Sequence, residues 1–210
     1  MSAALSITAS GIGKRHGRTW IWRDVELEVR AGETLALLGA NGSGKSSLLR
    51  VLCGFDAASE GHIDWQIGPD ASSREAVPGH IGYCAPDQDL ILDLTVREQV
   101  DFHRSCRVSD PAMDTARIID LALLEGKENR RVGELSSGMR QRLALTLAFT
   151  TPSSGLFLDE PTSHLDEAGR DWYHRLTREH RRDRTLIVAS NHNEAEVPSG
   201  ARNLTLGLPG

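Results

Sequence analysis

Apolar and polar residues alternate along Leu5-Ser6-Ile7-Thr8, along Val25-Glu26-Leu27-Glu28-Val29, and again along His62-Ile63-Asp64-Trp65-Gln66-Ile67. A period of two is expected of half-buried strands. Three other runs, Thr34-Leu35-Ala36-Leu37-Leu38, Leu156-Phe157-Leu158 and Thr185-Leu186-Ile187-Val188-Ala189, are almost wholly apolar and read as buried strands. Ile81-Gly82-Tyr83-Cys84 is a shorter strand candidate, and Leu204, Leu206 and Leu208 suggest a last one. Helical signals lie between them. Ser47 to Leu52 reads as the first turns of one helix, and Thr95-Val96-Arg97-Glu98 fits a capping box that opens another. Asp110-Pro111 offers an N-cap and first-turn pair for a helix through Ile118, Ile119 and Leu123. Met139, Leu143 and Leu147 recur at helical spacing up to Thr151-Pro152, and Glu167 to Arg181 is amphipathic. Gly13 to Trp22 is polar but holds three large flat rings, and Gly68 to Gly79 reads as a surface connection.

This order predicts an α/β core carrying an antiparallel β subdomain near its N-terminus. A helical insertion of about fifty residues runs from Ala85 to about Gly133. At 210 residues the chain suits one domain with a sizeable core. The formal charge of −5 gives no support for nucleic acid as main partner, and the arginine-rich stretch Arg170 to Arg184 also carries Asp171, Glu179 and Asp183, as a solvated face does. Cys53, Cys84 and Cys106 form neither a C-x-x-C pair nor an even set, which predicts a reducing compartment. Met1 to Ser10 lacks a signal-peptide pattern, and no apolar run approaches the ~18 residues of a membrane span.

Candidate chemistry starts at Gly39-Ala40-Asn41-Gly42-Ser43-Gly44-Lys45-Ser46, which has the form G-x-x-x-x-G-K-[ST] between a strand and a helix. Chance matches to its four fixed positions are expected in under roughly one chain in a hundred of this length. Its glycines let backbone N–H groups turn onto phosphate oxygens, and the helix N-terminus, with Ser47 in its first turn, adds partial positive charge. Lys45 would reach the β- and γ-phosphates, and Ser46 would ligate Mg²⁺. Downstream, an apolar strand stops at Asp159-Glu160, where one carboxylate can hold Mg²⁺ and the other can polarise water. Leu135-Ser136-Ser137-Gly138-Met139-Arg140-Gln141-Arg142 puts small residues at a helix N-terminus, a second anion site.

With these motifs in this order the sequence resembles the ATPase subunit of the ATP-binding cassette (ABC) family over nearly its whole length. Leu135 to Gln141 stands where the family has its LSGGQ signature, with Ser137 and Met139 as departures. Asp159-Glu160-Pro161-Thr162-Ser163-His164-Leu165-Asp166 matches Walker B and the D-loop. The resemblance implies a P-loop NTPase with a RecA-like core, forming one cassette over residues 1–210 with a helical subdomain at about 86–150. It also implies ATP and Mg²⁺ as cofactors, with nucleotide bound by Gly39, Ala40, Asn41, Gly42, Ser43, Gly44, Lys45, Ser46 and Ser47. The family often carries an aromatic residue that stacks on adenine, and His16 falls at that place. Trp20 or Trp22 could share the role, and for all three rings packing under the sheet is the alternative.

In this family two cassettes meet head to tail, so Ser136 and Gly138 would serve a partner's nucleotide. The implied partners are another cassette, as homodimer or heterodimer, and a separate membrane permease. Pro86 to His103 would be the contact, and the chain would sit on the cytoplasmic face of the membrane. The rival reading is a soluble ABC ATPase acting on nucleic acid or ribosomes. Two switch positions depart from the pattern. The expected glutamine, a third Mg²⁺ ligand, falls at Pro86 or Asp87, with Gln88 just beyond; Asp87 or Gln88 could ligate. The expected switch histidine falls at Asn191, with His192 next to it, and a loop shift would bring in His192 instead. Glu160, Lys45, Asn191 and His192 are therefore the catalytic candidates.

Overall fold

A computed structural model describes residues 3–86, 90–107, 110–191 and 196–207. The chain folds as two compact units. The first takes Met1–Ile81, Ser153–Glu160 and Asp183–Gly210, and the second takes Gly82–Pro152 and Pro161–Arg182.

In the first unit, β1 (Leu5–His16) and β2 (Thr19–Val29) form a long antiparallel hairpin. With β4 (Glu60–Ile67) and β5 (Asp70–Ser72) they make a sheet of order β2-β1-β4-β5. The hairpin takes in Gly13 to Trp22, a stretch with no strand period of its own. Its alternation is hidden because the pairing shifts register between Ala9 and Ile12, and again near Lys14. At the first irregularity the Gly11 N–H donates to the Glu26 carboxylate at 2.7 Å, a side-chain substitute for a lost ladder bond. β5 lies inside the stretch expected to be a surface connection.

The second sheet of this unit is parallel: β3 (Thr34–Leu38), β7 (Gly155–Asp159), β8 (Thr185–Ser190) and β9 (Arg202–Thr205) run in the order β7-β8-β3-β9. Every residue of β7 and β8 is buried, which explains their uninterrupted apolar sequence. The last strand covers Arg202–Thr205 rather than the leucine alternation, of which Leu208 lies outside the described residues. Helix α1 (Lys45–Leu52) buries Leu48, Leu49, Val51 and Leu52. The short β6 (Ile81–Cys84) leads out of this unit.

The second unit contains α2 (Val96–Cys106), α3 (Thr115–Leu121), α4 (Ser137–Thr150) and α5 (Glu167–His180). The capping box opening α2 is present: the Thr95 hydroxyl accepts from Glu98 N, and the Glu98 carboxylate accepts from Thr95 N at 2.8 Å. Helix α3 departs from the sequence expectation. Its cap is Asp114, whose side chain accepts from Arg117 N at 2.9 Å, whereas Asp110 closes a turn onto Ala112 N. Leu123 lies beyond its end, exposed and with positive φ. From Leu143 to Phe149, α4 is buried on all sides. On α5, Trp172, Tyr173 and Leu176 are buried while Asp171, Arg175, Arg178 and Glu179 are exposed, the solvated charged face expected. Among the described residues no helix is long and apolar enough to cross a membrane.

Candidate functional site

The first unit builds the site at one edge of its parallel sheet. Ser190 of β8 pairs in register with Leu38 of β3, and Ala189 pairs with Asp159 of β7. The residues that follow these strands, Gly39, Asn191 and Glu160, therefore leave the sheet side by side at its C-terminal edge. In open α/β sheets that edge is where ligands bind.

From Gly39 the backbone turns into α1, which begins at Gly44 with no side-chain cap. Gly44 has φ 88, a left-handed conformation. A Cβ there would also lie 2.5 Å from Ile21 Cγ2 and 2.7 Å from Trp22 Cδ1. Only glycine meets both conditions. The first-turn N–H groups of α1 and its dipole face the loop, an arrangement suited to an anion. Ser43 Oγ is buried with no hydrogen-bond partner, Ala40, Asn41 and Gly42 are exposed, and Ser46 and Ser47 stand in the first turn of α1.

Lys45 is only 5 % exposed. Its ammonium bends back over the loop and donates to Gly39 O at 2.9 Å, to Ala40 O at 3.0 Å, and to Asn191 Oδ1. Asn191 also uses its other end, with Nδ2 donating to Glu160 Oε1 at 2.6 Å. Glu160 has φ 43, and its N–H donates to Ala189 O at 2.9 Å. A non-glycine residue held in that region costs on the order of 1–3 kcal/mol. Strain at the end of β7 thus turns the Glu160 side chain to where Asn191 meets it.

Asp159 is buried at the end of β7, and Ser46 is the second residue of α1. A carboxylate and a hydroxyl are hard oxygen donors that suit Mg²⁺. Among the described residues no cluster of three or more His, Cys, Asp or Glu could hold a metal alone. Mg²⁺ sites commonly share the ion with substrate phosphates, so this donor set fits a cation arriving with a phosphate ligand. Gln88, Asp87 and His192 lie outside the described residues.

His16 is exposed at the hairpin end, paired with Thr19. The Trp20 ring carries the Arg23 guanidinium 4.6 Å from its centroid, and Arg23 is fixed by two bonds to Glu60 at 2.6 and 3.1 Å. Trp22 is 8 % exposed and packs against Gly44. Packing, one of the two roles left open for Trp22, is the one its placement matches.

In the second unit, Ser136 caps α4 and its Oγ accepts from Met139 N at 3.3 Å. Gly138 faces the carbonyl of His164. Gln141, which the sequence reading assigned no task, donates from Nε2 to Pro161 O at 2.9 Å. Asp166 caps α5 through Gly169 N at 2.8 Å. The stretch 136–141 and the loop 161–166 are thus pinned together. Nothing in sequence spacing announces the Gln141 contact; a buried glutamine on an otherwise apolar helix face was the available signal.

A family model described as ABC transporter matches residues 22–163. The sulfate/thiosulfate import ATP-binding protein CysA 1 of Rhizobium meliloti is 36% identical over 201 residues, covering 91% of this chain and 58% of that protein. The Nod factor export ATP-binding protein I of Rhizobium johnstonii is 32% identical over 191 residues, covering 89% of this chain and 61% of the relative. The chain thus spans about three fifths of the length of these curated relatives. Among solved structures, the dimeric structure of MJ0796, a bacterial ABC transporter cassette, superposes with a TM-score of 0.79 at 23% identity, covering 95% of this chain and 94% of that one.

Proposed function

Because the chain belongs to the ABC transporter family, we propose that it is the ATP-binding and ATP-hydrolysing subunit that powers transport through a separate membrane permease. The observation that carries the reading is the convergence of Lys45, Glu160 and Asn191 at one sheet edge beside the phosphate-type loop. Gly39 to Ser47 bind the phosphates of ATP, and His16, exposed at the hairpin end, stacks on adenine. Ser46 and Asp159 would hold Mg²⁺, with Gln88 as the third candidate. Bound there, Mg²⁺ would supply positive charge against the phosphates of ATP. Glu160 orients the attacking water and accepts its proton, while Lys45 balances the charge that develops on the phosphoryl group. Positioning and charge are most of what phosphoryl transfer asks of a protein.

Residues 1–210 form one cassette in this reading, and Ser136 and Gly138 address the nucleotide of a second cassette, identical or homologous, arranged head to tail. The relatives are named for import and for export, so the family fixes neither direction nor solute. The subunit works on the cytoplasmic face of the membrane, against its permease. Glu160→Gln is the direct test: ATP binding should persist while hydrolysis falls by at least about a hundredfold, as for the loss of a group acting on the water. Turnover at the wild-type rate in that variant would refute the assignment.

A further inference from the structure

Lys45 and Glu160, the cation and the anion of the proposed site, make no direct ion pair; the neutral amide of Asn191 stands between them. An ammonium has three N–H donors. Here all three are taken, by Gly39 O, Ala40 O and Asn191 Oδ1. No N–H of Lys45 is left over for a phosphate. The Glu160 carboxylate accepts from the opposite end of the same amide, at 2.6 Å. One planar group that accepts at one atom and donates at the other satisfies both charges at once.

We infer that Asn191 is a latch: it holds Lys45 down on its own loop until nucleotide arrives, then gives up the lysine while keeping its hold on Glu160. The inference rests on the phosphate-site reading above. An anionic phosphate oxygen is a stronger acceptor for an ammonium than a neutral amide oxygen, so nucleotide wins the exchange. The exchange still subtracts from binding, because only the difference between the two partners appears in the affinity. Asn191 therefore weakens nucleotide binding and supports turnover, acting through Lys45 in the first case and through Glu160 in the second. Its role is positioning.

Two substitutions separate these effects. Asn191→Leu keeps the approximate size and removes both hydrogen bonds. Asn191→Asp keeps an acceptor for Lys45, now charged, and removes the donor to Glu160. Calorimetric titration with ADP in metal-free buffer reads the latch, and ATP turnover reads the hold on Glu160. Asn191→Leu should bind ADP roughly tenfold tighter than wild type, equivalent to ~1.4 kcal/mol. Asn191→Asp should bind it roughly tenfold weaker, and kcat should fall in both. ADP binding that is unchanged or weaker in the leucine variant, or tighter in the aspartate variant, would overturn the latch. Should the leucine variant fail to fold, the aspartate variant decides alone: unchanged or tighter ADP binding rejects the proposal. Wild-type protein that binds no nucleotide would defeat the underlying phosphate-site reading instead.

Discussion

Gly138 lies against the backbone carbonyl of His164, where an added Cβ would stand 2.9 Å from the oxygen. Two effects of Gly138→Ala oppose each other. Alanine in a helix is favoured over glycine by up to ~1 kcal/mol. Forcing a methyl group onto a fixed carbonyl costs on the order of 1–3 kcal/mol. Because Gln141 and the Asp166 cap hold the loop after Pro161 in place, the second effect should win. Urea unfolding of Gly138→Ala should show a net loss of about 1 kcal/mol; a gain in stability would mean that the carbonyl yields freely.

Gly44 faces a harder constraint, with positive φ and with Ile21 and Trp22 against it. Gly44→Ala should lower the melting temperature, by a backbone and packing cost of order 1–3 kcal/mol. It should also abolish measurable ADP binding. A folded Gly44→Ala protein with wild-type affinity would show that the loop closes another way.

Helix α3 gives a test of local structure. Replacing the cap Asp114 with Ala should cost about 1 kcal/mol. Replacing Asp110 should cost less, because its ion pair with Arg182 is on the surface. Equal losses in the two variants, measured by chemical unfolding, would contradict the cap assignment.

The His103 ring is held below the usual histidine range, first by burial and then by the nearby Arg107 charge. Thr151 donates its hydroxyl proton to Leu147 O, which leaves its oxygen to accept from His103 Nε2 at 2.8 Å. The folded state thus favours neutral His103, and the unfolded chain binds a proton more readily. Stability from this group is complete above the unfolded value near 6.5 and is lost as pH falls through the lower folded value. Thermal unfolding between pH 7 and pH 5 should show a decline that is shallower in His103→Gln. Parallel profiles would show that acid acts elsewhere.

The parts of the candidate site that are contiguous in sequence are legible there. The glycine-rich loop, the strand ending in Asp159-Glu160 and the stretch from Ser136 each carry a local pattern with a physical cause. The contacts that Asn191 makes to Lys45 and Glu160 are not legible there. Asn191 meets Lys45 across 146 positions and Glu160 across 31, and only the register of β7, β8 and β3 brings the three together. Spacing along the chain offers Asn191 or His192 for the switch position, and carries no sign that Asn191 touches both charges. The full length of the hairpin is hidden in the sequence because its register shifts interrupt the period of two that reveals a strand. Helix α3 starts later than its sequence suggests because Asp110-Pro111 has the chemistry of a cap yet spends its aspartate on the Ala112 turn. Two residues of equal capping propensity stood four apart, and propensity alone does not choose between them.

ATP turnover of the purified chain, measured against protein concentration with Glu160→Gln and Ser136→Ala beside it, decides whether two cassettes share the site. The rate per molecule should rise with concentration and be lost in both variants, as two cassettes sharing each nucleotide require. A rate per molecule independent of concentration and intact in Ser136→Ala would contradict the head-to-tail site, and intact turnover in Glu160→Gln would contradict the chemistry assigned to it.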